Sequence, residues 1–527
     1  MDTGPTLQRI QLGWIVSGPT NTFHNKRPVL ETCNLSINKI SNQIEKFWKI
    51  EELNTIKFQN HEEKACEANF IATHARDENG RFIVSLPSRP GINQLGSSLS
   101  TAEKRFKGLE RKLSSNKELK SQYVQFMREY KELGHIEECD KLVGDHNSYF
   151  LPHHAVLKES STTIKVRVVF DGSAKTSSGI SLNDALMVGP VIQKELYTQL
   201  LRFRKHQYVM TADIEKMYRQ INVCAADRSL QKIVWRESPE YELRHYQLKT
   251  VTYGLGPSSF LATRCLQQIG MDNQNIFPKA SQVIQEDFYT DDLLTGGDDI
   301  QFCRKLKDQL INMLRSAGMT LRKWRSNVLD LSSQGGQAEI AETSNFDKTL
   351  PDKSKNEKIL GLSWNNESDY FSYVITKPTN QAVNKRQILS CIASKFDPLG
   401  LLGPMIVASW DETLPNEILV PWRSYLEDLS QLNVLKIERK ITCRNYSSLK
   451  VHGFCDSSQK AYGACIYIVS MDPNGERNSR LITSKSRVAP LKCISLPKLE
   501  LCSALLLAKL MKIVKQALDI MEADTYY

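Results

Sequence analysis

Three observations make the sequence read as a multidomain α+β protein. At 527 residues the chain is too long for one compact core and should hold about three or four domains. Short strand-like runs and helical periodicities follow one another without an internal repeat. From about Leu449 a fresh run of strands followed by a helix over Leu496–Leu518 marks a separate C-terminal domain. Apolar residues make up 41% and charged residues 24%, close to soluble globular chains, which excludes wholesale disorder and fibrous repeats. The formal charge of +10 favours a polyanionic partner. Twelve scattered cysteines form no C-x-x-C or finger-like spacing, so zinc knuckles and a disulfide framework are not indicated and a reducing compartment fits. No basic-then-apolar leader and no run of about 18 uncharged apolar residues occurs, so an intracellular, cytoplasmic protein without a membrane span is expected.

Taken in order, the first twenty residues end in the strand-like LGWIVSG and read as the tail of a preceding unit. Asp2-Thr3-Gly4 spells the aspartic-protease triplet, but only Met1 precedes it, and chance is the better reading. Residues from about 30 to 145 carry helical patterns over Ile40–Glu52, Ser100–Leu113 and Glu118–Leu133. A strand pair is predicted at Ala68–Thr73 and Phe82–Leu86, joined by the turn Asp77-Glu78-Asn79-Gly80. The segment His153–Arg204 is basic and contains a strand over Ile164–Phe170. A helix over Ile300–Ala317 shows Phe302, Leu306, Leu310 and Leu314 on one face and Gly318 as its stop. Residues 328–357 read as a linker or surface insertion, followed by short strands at Ile359–Trp364 and Tyr370–Ile375.

The chemistry concentrates at Tyr289-Thr290-Asp291-Asp292, which follows Val283-Ile284 and precedes Leu293-Leu294. Two carboxylates between apolar strand runs sit at a hairpin tip. Strand alternation would send them to opposite faces, leaving one to share a metal site with a carboxylate from another strand. That second carboxylate is available in Asp213, at the end of the apolar strand Tyr208-Val209-Met210-Thr211-Ala212-Asp213. If Asp213 and Asp291 meet, they can bridge two magnesium ions about 3.5–4 Å apart, one activating a 3′-hydroxyl and one holding a triphosphate.

TADIEKMY followed by YTDD resembles the catalytic core of reverse transcriptases. The segments YFLPHHAVLKESSTTIKVRVVFDGSAKTSSGISLNDAL, YGLGPSSFLATRCLQ, LRKWRSN, KRQILSCIASKFDPLGLLGP and VHGFCDSSQKAYGA narrow the resemblance to LTR retrotransposons of the BEL/Pao type. The resemblance implies a right-hand polymerase (fingers, antiparallel-sheet palm, thumb) followed by a partial RNase H-like α/β domain. Its expected divisions are 1–20, the tail of a Pao-type aspartic protease carried by LQRIQLGWIVSG; 21–145, a family-specific N-terminal region; 146–327, fingers and palm; 328–445, linker, thumb and connection; and 446–527, the RNase H-like part. The implied reaction is RNA-directed addition of dNTPs to a primer 3′-end on an RNA or DNA template, with two Mg²⁺ or Mn²⁺ ions, in the cytoplasm or a virus-like particle.

Residue by residue, the resemblance implies that Asp213 and Asp291 are metal ligands and Asp292 the neighbouring catalytic acid. Tyr218 matches an aromatic gate that excludes the 2′-hydroxyl. Arg167 and Asp171 match a triphosphate-binding arginine and its orienting carboxylate, with Lys165 a second candidate on the same strand face. Tyr253 and Gly254 match the loop under the nucleotide, where Gly254 lets the backbone approach base and sugar closely; retroviral enzymes commonly have Gln at the position of Tyr253. Lys323 or Arg325 falls where a lysine would protonate pyrophosphate, and Leu360-Gly361 resembles a primer-grip turn. Asp456 and Glu500 provide two acids of an RNase H site. The next acid of that site is expected beyond Tyr527, Asp524 coming too early, so RNase H and protease activities are expected to be absent. A decayed copy that binds nucleic acid without catalysis is the rival reading; retention of Asp213, Asp291 and Asp292 counts against it.

Overall fold

The computed structural model describes residues 6–10, 13–17, 59–139, 148–158, 165–332, 357–360, 362–373, 397–401, 434–459, 461–489 and 494–527. At 6–10, 13–17, 157–158, 165 and 357–359 only the backbone course is described. The expected helix at Ile40–Glu52 and the second residue of the Leu360-Gly361 turn lie outside these residues.

β1 (Thr6–Ile10) and β2 (Gly13–Ser17) pair as an antiparallel hairpin. The first correction follows at once: Ala68–Thr73 is the end of helix α1 (His61–Thr73), not a strand. Asn60 and Glu63 form a reciprocal capping box that satisfies the first free N–H groups, and Cys66 and Phe70 fall four apart on the buried face. Helix nucleation thereby overrides the strand preference of Phe70, Ile71 and Thr73. The expected hairpin survives in shortened form as β3 (Ala75–Arg76) and β4 (Phe82–Val84), with Asp77 accepting from the N–H groups of Asn79 and Arg81 and Gly80 at φ +79°.

Helices α2 (Leu99–Ser115) and α3 (Lys117–Glu132) follow, then β5 (Ile136–Cys139). α2 buries Ala102, Phe106, Leu109 and Leu113, a helical repeat that packs Phe106 edge-on to Trp235, 5.7 Å between centroids. β6 (His153–Lys158) and β7 (Lys165–Phe170) form an antiparallel hairpin. After α4 (Leu196–Lys205) come β8 (Tyr208–Ile214), β9 (Asn222–Val223), β10 (Lys232–Trp235) and β11 (Arg244–Leu248). Helices α5 (Ser258–Asp272) and α6 (Pro278–Glu286) precede β12 (Phe288–Tyr289), β13 (Asp292–Gly297), α7 (Ile300–Arg315) and β14 (Leu321–Ser326).

The central sheet is antiparallel in the order β12-β13-β8-β14. Val283-Ile284, expected as strand, is helical in α6, where Pro278 at the first turn and buried Ala280, Val283 and Ile284 fit helical spacing. On α7, Phe302 is exposed and Cys303 takes the inner position with Leu306, Leu310, Met313 and Leu314. The expected boundary at 145/146 is not a packing boundary. β4 pairs with β9 and β5 with β11, and residues 66–136 share one hydrophobic cluster with residues 149–324.

Beyond α7 and β14, β15 (Glu357–Ile359), β16 (Leu362–Asn365), β17 (Tyr370–Ser372) and β18 (Lys436–Glu438) form a four-stranded antiparallel sheet. Ile359–Trp364 is therefore two strands, broken at Leu360, whose φ is +48°. The C-terminal unit comprises β19 (Ser448–Ser457), β20 (Ala461–Met471), β21 (Arg477–Val488), helix α8 (Leu496–Leu518) and β22 (Asp524–Tyr526), in sheet order β21-β20-β19-β22. β22 runs parallel to β19 and the other pairs are antiparallel.

A second hydrophobic cluster joins α4 and the lower ends of β8 and β13 to this C-terminal sheet, through Leu200, Phe203, Val209, Leu294, Trp364, Ile466 and Leu510. Two fully buried arginines tie the seam. Arg204 donates to the carbonyls of Arg439, Ile482 and Leu481 at 3.1, 2.7 and 3.1 Å. Arg439 clasps Asp369 at 2.6 and 2.7 Å and donates to the carbonyls of Phe203 and His206 at 2.6 and 2.9 Å. Among the described residues no helix is long and apolar enough to cross a membrane.

Candidate active site

Asp213, the penultimate residue of β8, lies opposite Asp292, the first residue of β13, and the backbone N–H of Ile214 donates to the carbonyl of Asp291 at 2.9 Å. Asp291 lies in the turn between β12 and β13, not in a strand. The alternation expected to divide the two neighbouring acids therefore does not apply. Asp213 raises the proton affinity of both. Burial is the main cause holding Asp291 above the usual carboxylate range; Asp213 adds to it, while Arg167 and Lys323 oppose. Asp292 is pushed up to about 6, by burial first and then by the charges of Asp291 and Asp213.

The tip is held in an unusual backbone state. Thr290, β-branched, sits at φ +58°, and its N–H donates to the Gln193 side chain at 3.0 Å. Below it, Gln199 donates to the Phe288 carbonyl at 2.6 Å, and buried Asp287 receives Arg202 at 2.8 Å and Thr295 at 2.7 Å. Helix α4 thus supports the hairpin from behind.

Lys323 reaches the same cluster. β14 bulges between Arg322 and Arg325, Lys323 takes φ +53°, and its ammonium donates to Asp213 Oδ2 at 2.8 Å. Arg325 pairs in register with Thr211, deeper in the sheet. Of the two candidates left open by the sequence, Lys323 is the one beside the carboxylates.

The aromatic pair is also assembled: the rings of Tyr218 and Tyr253 lie 4.5 Å apart. Burial raises both phenols, Tyr253 to about 12, and the charge of Asp291 adds to each. Arg167 is exposed on β7, and its charge acts on Asp291. Lys165 opens the same strand, with its side chain outside the described residues.

One expectation changes here. Asp171 is not the partner of Arg167: it forms an ion pair with Arg105 of α2 and accepts from the Ser173 N–H at 3.0 Å. An exposed arginine four residues back along an extended strand, about 13 Å away, cannot compete with a helix side chain already in contact. Gly254, at φ +99°, makes its close approach to Phe170, whose carbonyl would lie 1.9 Å from an added Cβ. The glycine therefore seats the 253–256 loop against β7. Asn183 clamps that loop, donating to the Gly254 carbonyl at 3.0 Å and accepting from the Gly256 N–H at 2.9 Å. Gly254→Ala is expected to cost about 2 kcal/mol or more, and Gly179→Ala, at φ +77° in open space, only the left-handed penalty of about 1 kcal/mol. Equal losses in denaturant titrations would remove the steric role.

Arg105, Asn183 and Gln193 were missed from sequence. Asn183 follows Ser181 of a Ser181–Asp184 capping box, a signal for a helix start that says nothing of a loop 71 residues away.

Divalent cations fit the carboxylate cluster. Asp213 Oδ1 is buried without a hydrogen bond, 3.5 Å from Arg322 Nε, and Asp291 and Asp292 are both held toward the neutral form by burial and by neighbouring acids despite Lys323, a strain that a bound cation would relieve. Among the described residues no three His, Cys, Asp or Glu side chains form a ready-made metal cage.

The C-terminal acids lie at one end of their sheet. α8 returns antiparallel to β19 before β22, and Gly453 faces Leu507 and Met511 so closely that a Cβ would meet Leu507 at 2.8 Å. From that contact Asp456 lies three residues, about 10 Å, along β19, and Glu500 seven residues, about 10 Å, back along α8. Both are exposed. Asp524 pairs in register with Lys450, about 20 Å along the strand from Asp456, and cannot join them.

Residues 384–527 match the family described as the Pao retrotransposon-like RNaseH-like domain. No curated protein matches the chain. Two solved structures resemble it distantly. The foamy viral protease-reverse transcriptase in complex with an RNA/DNA hybrid is 14% identical, with TM-score 0.47 over 94% of this chain and 58% of its own. The foamy viral protease-reverse transcriptase dRH in complex with ds DNA is 13% identical, with TM-score 0.46 over 98% of this chain and 81% of its own. This chain thus spans 58% of the length of the first. Likeness at that level assigns neither fold nor function by itself.

Proposed function

We propose, from the membership of residues 384–527 in the Pao retrotransposon-like RNaseH-like family, that this chain is a reverse transcriptase of the Pao retrotransposon type, with residues 146–327 forming its polymerase fingers and palm. The observation that carries the reading is the pairing of Asp213 with Asp292 across β8 and β13, with Asp291 in the adjoining turn. Three carboxylates at neighbouring strand ends, electrostatically coupled and backed by a supported hairpin, suit template-directed phosphoryl transfer to a primer 3′-end.

Asp213, Asp291 and Asp292 would hold two Mg²⁺, which lower the pKa of the primer hydroxyl and neutralise triphosphate charge. The chain's own residues do the rest. Lys323, now donating to Asp213, carries a proton within reach of the phosphates held at this cluster. Arg167 is exposed on β7, where its guanidinium suits phosphate oxygens, and its charge is felt at Asp291. Tyr218, half-buried, and Tyr253, exposed, form an aromatic floor beside Asp291, and the Tyr218 ring limits room at the sugar.

Purified chain is expected to extend a DNA primer on an RNA template with dNTPs and Mg²⁺, and to stop when the metal is chelated. Metal-independent extension, or none under conditions where primer-template binds, would refute the reading. Tyr218→Val should retain dNTP incorporation and raise ribonucleotide incorporation by about tenfold or more, since removing the ring opens space for a 2′-hydroxyl. Unchanged discrimination in single-nucleotide assays would leave Tyr218 a residue that packs against Tyr253.

A further inference from the structure

Apart from Arg105, which pairs with Asp171, the outer face of α2 has no role in the site above, and it carries a one-sided charge. Lys104, Arg105, Lys107, Arg111 and Lys112 are all exposed. At 100° per residue they span an arc of about 160° opposite the buried Ala102, Phe106, Leu109 and Leu113. No acid lies within the arc. The two glutamates of α2, Glu103 and Glu110, fall together on one flank, and Glu110 is sealed by Arg236 at 2.7 and 2.9 Å. Among the described residues Lys104, Lys107, Arg111 and Lys112 make no ion pair with a carboxylate. α3 shows what an ordinary solvated face looks like, with exposed Glu118 and Glu132 among Lys117, Lys120, Arg128 and Lys131.

Gly108 lies inside the arc, and an added Cβ there would meet nothing within 4 Å. The middle of the basic face is therefore bare backbone, open to close approach. From Lys104 to Lys112 the face is about 12 Å long. It is anchored at Arg105, whose ion pair with Asp171 joins it to the end of β7, the strand that carries Arg167.

We propose that this face of α2 binds the phosphate backbone of the single-stranded template ahead of the carboxylate site. This assignment rests on the polymerase reading for its choice of strand. α2 packs in the cluster shared with β6, β7 and β10, whereas the RNaseH-like sheet belongs to the other cluster. A template that enters on the α2 side and leaves as duplex toward that sheet meets α2 before it is paired.

The test replaces Lys104, Lys107, Arg111 and Lys112 together by Gln in the full chain. It measures Kd by fluorescence anisotropy, across a salt series, for a primer-template with a long 5′ template overhang and for a blunt duplex of equal length. Neutralising four single-strand phosphate contacts should raise Kd for the overhanging substrate on the order of 10–100-fold at low salt and lower its log–log salt slope by about 3. The blunt duplex should change little, and a variant with Arg at the three lysine positions should keep the wild-type slope. An unchanged slope would overturn the proposal. Equal losses on both substrates would also overturn it, placing duplex on this face. Because binding is read without turnover, a chain that binds in this pattern but extends no primer would refute the polymerase reading and leave the α2 face standing as a single-strand site.

Discussion

Asp213→Asn is expected to lower primer extension by at least about a thousandfold while leaving primer-template affinity within about twofold. The side chain stays isosteric, so the strand pair with Asp292 is preserved and only the charge is lost. Metal-supported charge stabilisation is worth several kcal/mol, and 4 kcal/mol is about a thousandfold. Binding depends mainly on Lys and Arg contacts to phosphate, so it should persist. Loss of the Asp213 charge also removes one cause that raises Asp291 and Asp292, so both would ionise more readily in the variant. Residual acids held in the protonated form would then not explain the loss. The same outcome is expected for Asp291→Asn. Parallel decline of Kd and extension would show misfolding and remove the residue from the catalytic set.

Arg439→Met is expected to destabilise the junction between the central sheet and the C-terminal unit by about 3–5 kcal/mol, the usual cost of breaking a buried ion pair from one side. The substitution leaves Asp369 with Trp364 at 3.1 Å and Asn327 at 3.1 Å as its side-chain donors among the described residues, and removes donors from the buried carbonyls of Phe203 and His206. Arg204, lowered to about 9 by burial, would remain as the other half of the seam, also fully inside. Trp364 is 2% exposed and packs edge-on to Phe203 at 5.3 Å, so its fluorescence reports this seam. A urea midpoint that moves by less than the equivalent of about 1 kcal/mol would show that the apolar cluster alone holds the two parts.

The sequence alone determined the elements whose side-chain period is long and uninterrupted. The apolar run ending in Asp213, the helices over residues 99–132 and the C-terminal strands with helix Leu496–Leu518 were legible because local pattern and burial agree. Asp213 and Asp291 were legible as acids at the ends of apolar runs, and Asp292 joined them only through the resemblance of TADIEKMY and YTDD to reverse transcriptases. Tertiary structure decided whatever depends on contacts distant in sequence. It turned Ala68–Thr73 into helix through a cap at Asn60, gave Asp171 to Arg105 in place of Arg167, and set Gly254 against Phe170. It put Asp291 in a turn, so that three carboxylates interact where alternation allowed two. It also joined residues 59–139 to the rest of the core through β4–β9 and β5–β11. The physical reason is common to all five: backbone preferences differ by about 1 kcal/mol or less per residue, and one ion pair, cap or backbone contact between remote segments outweighs them.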